Sequence, residues 1–324
     1  MNNNKIIYFH IGLPKTASSL LQKYLFCNNK NIHYLGIPLK KNWGKEEWHL
    51  YKFLLFLFSS SDKDYYNNYK EYLKKFRLLE FDHNQINLIS HDSITNSIYL
   101  NNFDIYETIN RIHNFFEVNL GFKIKIIYSI RKQTSIISSF YAQFYRKLIK
   151  INKKWKKFSC FLNCIILLKE NSNNQDIPKD QENIFNSFFY FSFYNFLEKK
   201  FGEGNIKILL YEDLIYNSKF YFQELENFLK INILSYRKII NETENQTNFV
   251  SKNEYERKYV LIYKTLKKYI KNKKIKKIFY RLFTSDRVIL SLADKKNVEN
   301  YYYKENVELN KILDNRLQKY NYFD

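Results

Sequence analysis

Only 6 glycines, 3 prolines, 3 cysteines and 1 methionine occur in the 324 residues. So little Gly and Pro excludes collagen-like and linker-type low-complexity chains. Cys27, Cys160 and Cys164 are an odd set without the paired spacing of a zinc site. They point to a reduced compartment with neither a disulfide framework nor a structural metal. Long apolar runs are missing too. Phe53 to Phe58, Phe158 to Leu168 and Phe185 to Leu197 all fall short of the ~20 residues a membrane-spanning helix requires. The first strand-like run, Ile6 to Ile11, is too short for a signal peptide and no small-residue cleavage site follows it, so a soluble, cytoplasmic protein is expected.

What is abundant is Asn, Lys, Ile, Tyr and Phe, and the formal charge is +21. A strong AT bias in the coding sequence produces this composition on any fold, so the charge alone does not establish a nucleic-acid partner. A hydrophobic content of 45% supports one substantial core.

Residues 5 to 11 form a β-branched and aromatic run that stops at Gly12 and Pro14, and Leu20, Leu21, Tyr24 and Leu25 then repeat at helical spacing. That is strand, loop, helix. Lys123 to Ile130 is a second strand, followed by Ile136, Ile137, Phe140, Tyr141, Phe144 and Leu148 on one helix face. Further strands are expected at Ile86 to Ser90 and Ile206 to Tyr211, with a helix from about Ser218 to Leu229. Strands alternating with helices predict an α/β fold, a central parallel sheet flanked by helices. Gly12, His91, Arg131 and Glu212 fall at carboxyl ends of strands, where such sheets bind ligands. A single domain is expected, with an α/β core over about 1–232 and a helical part over about 233–324. Residues 150–185, with the basic run Lys153-Lys154-Trp155-Lys156-Lys157, and residues 252–320 read as peripheral.

A strand-to-helix loop presents main-chain N–H groups and a helix dipole to an anion. Here it also carries Lys15, with Ser18 and Ser19 at the helix start. The pattern G-x-x-x-x-G-K-[ST] of the ATP-binding loop is absent. The run Gly12-Leu13-Pro14-Lys15-Thr16-Ala17-Ser18-Ser19-Leu20-Leu21-Gln22 instead resembles the 5′-phosphosulfate loop of sulfotransferases that use 3′-phosphoadenosine-5′-phosphosulfate (PAPS), approximately G-x-P-K-[TSA]-G-[TS]-[TS]. Ala17 stands where that family usually has glycine, so the loop is expected to hold a backbone conformation that a Cβ tolerates. A second resemblance is Arg131 at a strand end with Ser139 eight residues later, the family's 3′-phosphate motif; Ser135 and Ser138 are alternatives to Ser139. A third is Tyr211-Glu212-Asp213-Leu214 with the later Asn227-Phe228-Leu229, whose two acids read as structural. The resemblance extends over the first 230 residues, is loose at Tyr301 to Asn306, and is to bacterial and glycan-type members.

It implies in-line sulfuryl transfer from PAPS to a hydroxyl or amine, with a carbohydrate or glycolipid as acceptor. Gly12, Lys15, Thr16, Ala17, Ser18, Ser19, Arg131 and Ser139 would hold the donor, Lys15 would neutralise the leaving oxygen, and no metal would be needed. Asp92 and His91, after the strand Ile86 to Ser90, are candidates for the base, with His10 as their rival. A P-loop nucleotide kinase and a non-catalytic polyanion-binding protein are the competing readings.

Overall fold

A computed structural model of the chain describes residues 5–13, 15–36, 45–77, 84–91, 94, 105–170, 184–233 and 290–323. Five strands, β1 (Ile6–Gly12), β2 (Ile32–Tyr34), β3 (Ile86–Ser90), β4 (Lys123–Ile130) and β5 (Ile206–Leu210), form one sheet in the order β2-β3-β1-β4-β5. All four pairings are parallel, as the alternation of strand and helix patterns predicts. Both faces of the central strands are covered: Ile7, Phe9 and Ile11 of β1 and Ile124, Ile126 and Ile130 of β4 are fully buried on one, and Tyr8 and Ile127 are buried on the other.

Alternation along each strand then assigns the layers. Tyr8, Ile127 and Leu209 enter a cluster with Leu21, Leu25, Phe26, Phe222, Leu225 and Leu229. The last six come from the helix that begins as α1 (Ser18–Leu20) and widens over Leu21–Phe26, and from α9 (Ser218–Leu229). On the opposite face Phe9 meets Phe116 at a ring distance of 5.0 Å and Tyr128 meets Phe193 at 5.1 Å. Each such side chain, fully buried, contributes about 1.5–3 kcal/mol from apolar transfer.

Between β1 and β5 the chain also forms α2 (Lys45–Ser59), α3 (Asp62–Arg77), α4 (Ile105–Ile112), α5 (Gln133–Ile151), α6 (Phe158–Glu170) and α7 (Tyr190–Phe201). After β5 come α8 (Tyr211–Tyr216), α9, α10 (Leu292–Ile312) and α11 (Arg316–Lys319). Tyr211, expected to end a strand, begins α8 instead. Glu212 and Asp213 stand in that helix's first turn, where carboxylates complement the positive end of the dipole.

The chain divides into two compact units. One comprises Met1–Gln133, Asn174–Glu244 and Tyr302–Asp324, the other Thr134–Asn173 and Asn245–Tyr301. The first contains the sheet. In the second, Trp155 is fully buried against Phe161, accepts the Tyr141 hydroxyl at its carbonyl (2.9 Å) and donates its indole N–H to Cys164 Sγ (3.0 Å).

The strand order places a switch point at β1. From β1 the chain runs to β2 and β3 on one side of it, and returns on the other side as β4. Loops that leave β1 and β4 therefore diverge and open a crevice at their carboxyl ends.

Candidate functional site

That crevice is formed by Leu13 and Lys15 to Ala17 after β1 and by Arg131 and Lys132 after β4. Gly12, last in β1, lies opposite Ser129 in the β4 register. A Cβ on Gly12 would collide with the Ser18 hydroxyl oxygen and come within 2.9 Å of Thr16 Oγ1, so glycine leaves room for both hydroxyls where the loop folds back over the strand end. Thr16 closes the turn by donating from Oγ1 (2.7 Å) and from its main-chain N–H (3.3 Å) to the Leu13 carbonyl.

Lys15 and Ala17 both have left-handed backbones, φ 74° and 69°. The expectation of a conformation easy for a Cβ is thus not met at Ala17, which retains the glycine-like backbone at about 1–2 kcal/mol. A left-handed residue beside helical ones turns successive N–H groups to one side, the arrangement of an anion nest. The N–H groups of Ala17, Ser18 and Ser19 donate no hydrogen bond within the described residues, while the Ala17 carbonyl accepts from Leu20 and Leu21.

Arg131 reaches this loop from β4. Its Nη1 donates to the Lys15 carbonyl (3.2 Å) and its guanidinium lies 4.4 Å from the centre of the Tyr211 ring. No carboxylate pairs with it among the described residues. Lys15 is half-buried, and its amine is held below the usual lysine pKa, first by desolvation and then by the positive charge of Arg131. Two cations share one crevice, and the positive charge of Arg131 disfavours that of Lys15.

Beneath the loop a chain of polar side chains crosses three strands. His10 is 1% exposed, with Nδ1 2.7 Å from Ser90 Oγ on β3 and Nε2 3.0 Å from Ser129 Oγ on β4. Gln22 donates to Ser90 Oγ (2.9 Å). Burial lowers the His10 pKa to about 3, so the imidazole is neutral at physiological pH. It accepts a hydrogen bond at one nitrogen and donates one at the other, which suits a side chain set between two hydroxyls. His10 therefore belongs to the packed interior between the strands.

His91 follows β3 and is 3% exposed, with its ring 5.4 Å from that of Tyr51 and 5.8 Å from that of Phe58. Desolvation lowers its pKa to about 4. Asp92 lies outside the described residues, as does Pro14. Ser139 is half-buried on α5, in the second unit. Its neighbour Ser138 donates to the Thr134 carbonyl (3.3 Å).

Both acids after β5 are engaged. Glu212 Oε1 accepts the Lys132 N–H (3.0 Å) and Oε2 the Tyr322 hydroxyl (2.7 Å). Asp213 accepts from Arg316 Nη1 (2.9 Å) and the Tyr320 hydroxyl (2.6 Å). Tyr190 donates to the Arg131 carbonyl (2.7 Å). Neither Tyr190 nor Tyr322 stands in a motif, and nothing in the sequence pattern singles them out among 29 tyrosines. Among the described residues no group of three or more His, Cys, Asp or Glu side chains could hold a metal ion. No described helix is long and apolar enough to cross a membrane.

No family model matches the chain, and no curated protein matches it either. Solved structures do. The chain is similar to the crystal structure of a sulfotransferase from Alicyclobacillus acidocaldarius, with 12% identity over 95% of each chain and a TM-score of 0.48. It is also similar to the sulfotransferase domain of the Synechococcus PCC 7002 olefin synthase, with 13% identity, 76% of this chain and 82% of that one covered, and a TM-score of 0.38.

Proposed function

We propose that the protein is a PAPS-dependent sulfotransferase that transfers the sulfuryl group to a hydroxyl or amine of a carbohydrate or glycolipid acceptor. The observation that carries this reading is the junction of Lys15 and Arg131 at the switch point. Two half-buried cations, tied through the Lys15 carbonyl (3.2 Å), share a crevice whose loop turns main-chain N–H groups toward an anion. A donor with phosphate at both its 5′ and 3′ positions uses both. The 5′-phosphosulfate fits the nest of Ala17, Ser18 and Ser19, with Gly12 and Thr16 shaping the turn, and the 3′-phosphate fits the planar fork of Arg131. The part given to Ser139 rests on its spacing from Arg131 in the sequence.

In the transfer, the bond between sulfur and the bridging oxygen of the donor breaks as a bond from sulfur to the acceptor oxygen or nitrogen forms. The leaving oxygen gathers negative charge, and the Lys15 ammonium neutralises it. The acceptor's proton passes to a base. His91, neutral at physiological pH, and Asp92 are the candidates, both from the end of β3.

Thermal shift decides the donor. Adenosine 3′,5′-bisphosphate without metal is expected to stabilise the protein, and stabilisation only by ATP with Mg²⁺ would replace this reading with a nucleotide kinase. Steep salt dependence with no preference for the 3′-phosphate would favour a polyanion-binding protein. Incubation with labelled PAPS and fractionated cell extract identifies the acceptor, and Asp92→Asn should then slow turnover more than it weakens donor binding.

A further inference from the structure

The peptide bond that joins Arg131 to Lys132 lies beyond the end of β4, where strand-to-strand hydrogen bonding has ceased. Its carbonyl oxygen nevertheless accepts the Tyr190 hydroxyl (2.7 Å), and its N–H donates to Glu212 Oε1 (3.0 Å). Both polar atoms of one peptide are thus held by side chains from other elements. A peptide fixed at both ends cannot rotate, and the Cα of Arg131 is attached to it directly.

Glu212 is itself oriented. Its second oxygen accepts the Tyr322 hydroxyl (2.7 Å), and the carboxylate and that hydroxyl are both buried. Tyr322 is placed in turn by its N–H to the Leu317 carbonyl (3.1 Å) and its carbonyl to Asn306 Nδ2 (3.3 Å). The neighbouring Asp213 takes Tyr320 and Arg316, so consecutive carboxylates clasp the segment from Arg316 to Tyr322.

We infer that Tyr322, through Glu212, is a positioning residue for Arg131, so that docking of the segment Arg316 to Tyr322 sets the selectivity of the crevice for a 3′-phosphorylated nucleotide. This rests on the proposed role of Arg131. A buried charged hydrogen bond is worth about tenfold or more in an equilibrium, and losing it frees the carboxylate to rotate away from the Lys132 N–H. The guanidinium then samples more directions, and binding that depends on its direction weakens.

Tyr322→Phe removes one hydroxyl and keeps the ring. Calorimetry of wild type and variant with adenosine 3′,5′-bisphosphate and with adenosine 5′-monophosphate is expected to show the ratio of the two affinities falling about tenfold, with the monophosphate affinity retained. Glu212→Ala should do the same, and Glu212→Gln, which still offers an oxygen to Lys132, should restore part of the ratio. A variant with a lowered melting temperature but an unchanged ratio overturns the inference, because a merely structural tyrosine would do only that. Hydrogen exchange at the Lys132 amide needs no ligand: acceleration in Tyr322→Phe supports the clasp, and an unchanged rate overturns it. If the wild type does not distinguish the two nucleotides while that amide does respond, the donor assignment has failed and the clasp has not.

Discussion

After β1 and β4 the sheet edge carries Lys15 and Arg131, both half-buried, both charged, and linked through one main-chain carbonyl. After β3 it carries His91, buried beside two aromatic rings and kept neutral by desolvation. The two neighbouring edges belong to the same sheet and differ in what they can stabilise. The first gathers positive charge and unbonded N–H groups, so it gains by receiving an anion. The second excludes charge, so desolvation keeps its imidazole neutral and it offers no cation to a phosphate. His10 lies between them on β1, joining Ser90 of β3 to Ser129 of β4.

Removing the charge on the first edge should have the largest effect. Lys15→Ala is expected to lower sulfuryl transfer from labelled PAPS at least about a hundredfold, whereas a loss confined to KM would show that Lys15 only binds. Next is Arg131→Ala, which should weaken binding of adenosine 3′,5′-bisphosphate about ten- to a hundredfold. Calorimetry with adenosine 5′-phosphosulfate should show little change, and an equal loss for both would dissolve the distinction between the two phosphate positions.

The neutral groups should show themselves in stability. His10 and His91 have folded-state pKa values of about 3 and 4, below the ordinary 6.5, so the unfolded chain binds more protons than the folded one in acid. Their contribution is complete above pH 6.5 and is lost as pH falls through that value toward 4. Denaturant unfolding from pH 6 to 4 should show wild type losing stability faster than His10→Gln, by about 1.4 kcal/mol per pH unit. Equal slopes would mean that His10 titrates normally. The smallest effect is expected at Ala17→Gly. Relief of the left-handed strain should exceed the added chain entropy and raise stability by about 0.5–1 kcal/mol, read as a shift in the denaturant midpoint.

The sequence made the strands after residue 5 and at 86–90 and 123–130 legible, because buried parallel strands are near-continuous runs of Ile, Tyr and Phe. It did not reveal β2, whose three residues Ile32–Tyr34 are too few for a periodic signal and include a histidine. The loop residues were legible through Gly12 and Lys15, and Arg131 through its place at a strand end. Tyr190 and Tyr322 were not, since their hydroxyls act across 59 and 110 residues of sequence. Ala17 misled: its identity pointed to an ordinary backbone, yet the closure of the loop over Gly12 imposes a left-handed one.

By itself the sequence determined an alternating α/β chain, the residues that form the buried strands, and a strand-to-helix loop with a lysine suited to an anion. Periodicity and side-chain type fix these, because each is a property of a few neighbouring residues. Only the tertiary structure decided that Lys15 after β1 and Arg131 after β4 border one crevice, since strand order depends on which long-range pairings bury the most apolar surface. It also decided that His10 serves the interior and that Glu212 holds the peptide beside Arg131. A buried polar group takes whatever partner the fold brings within reach, and that choice cannot be read from its neighbours in the chain.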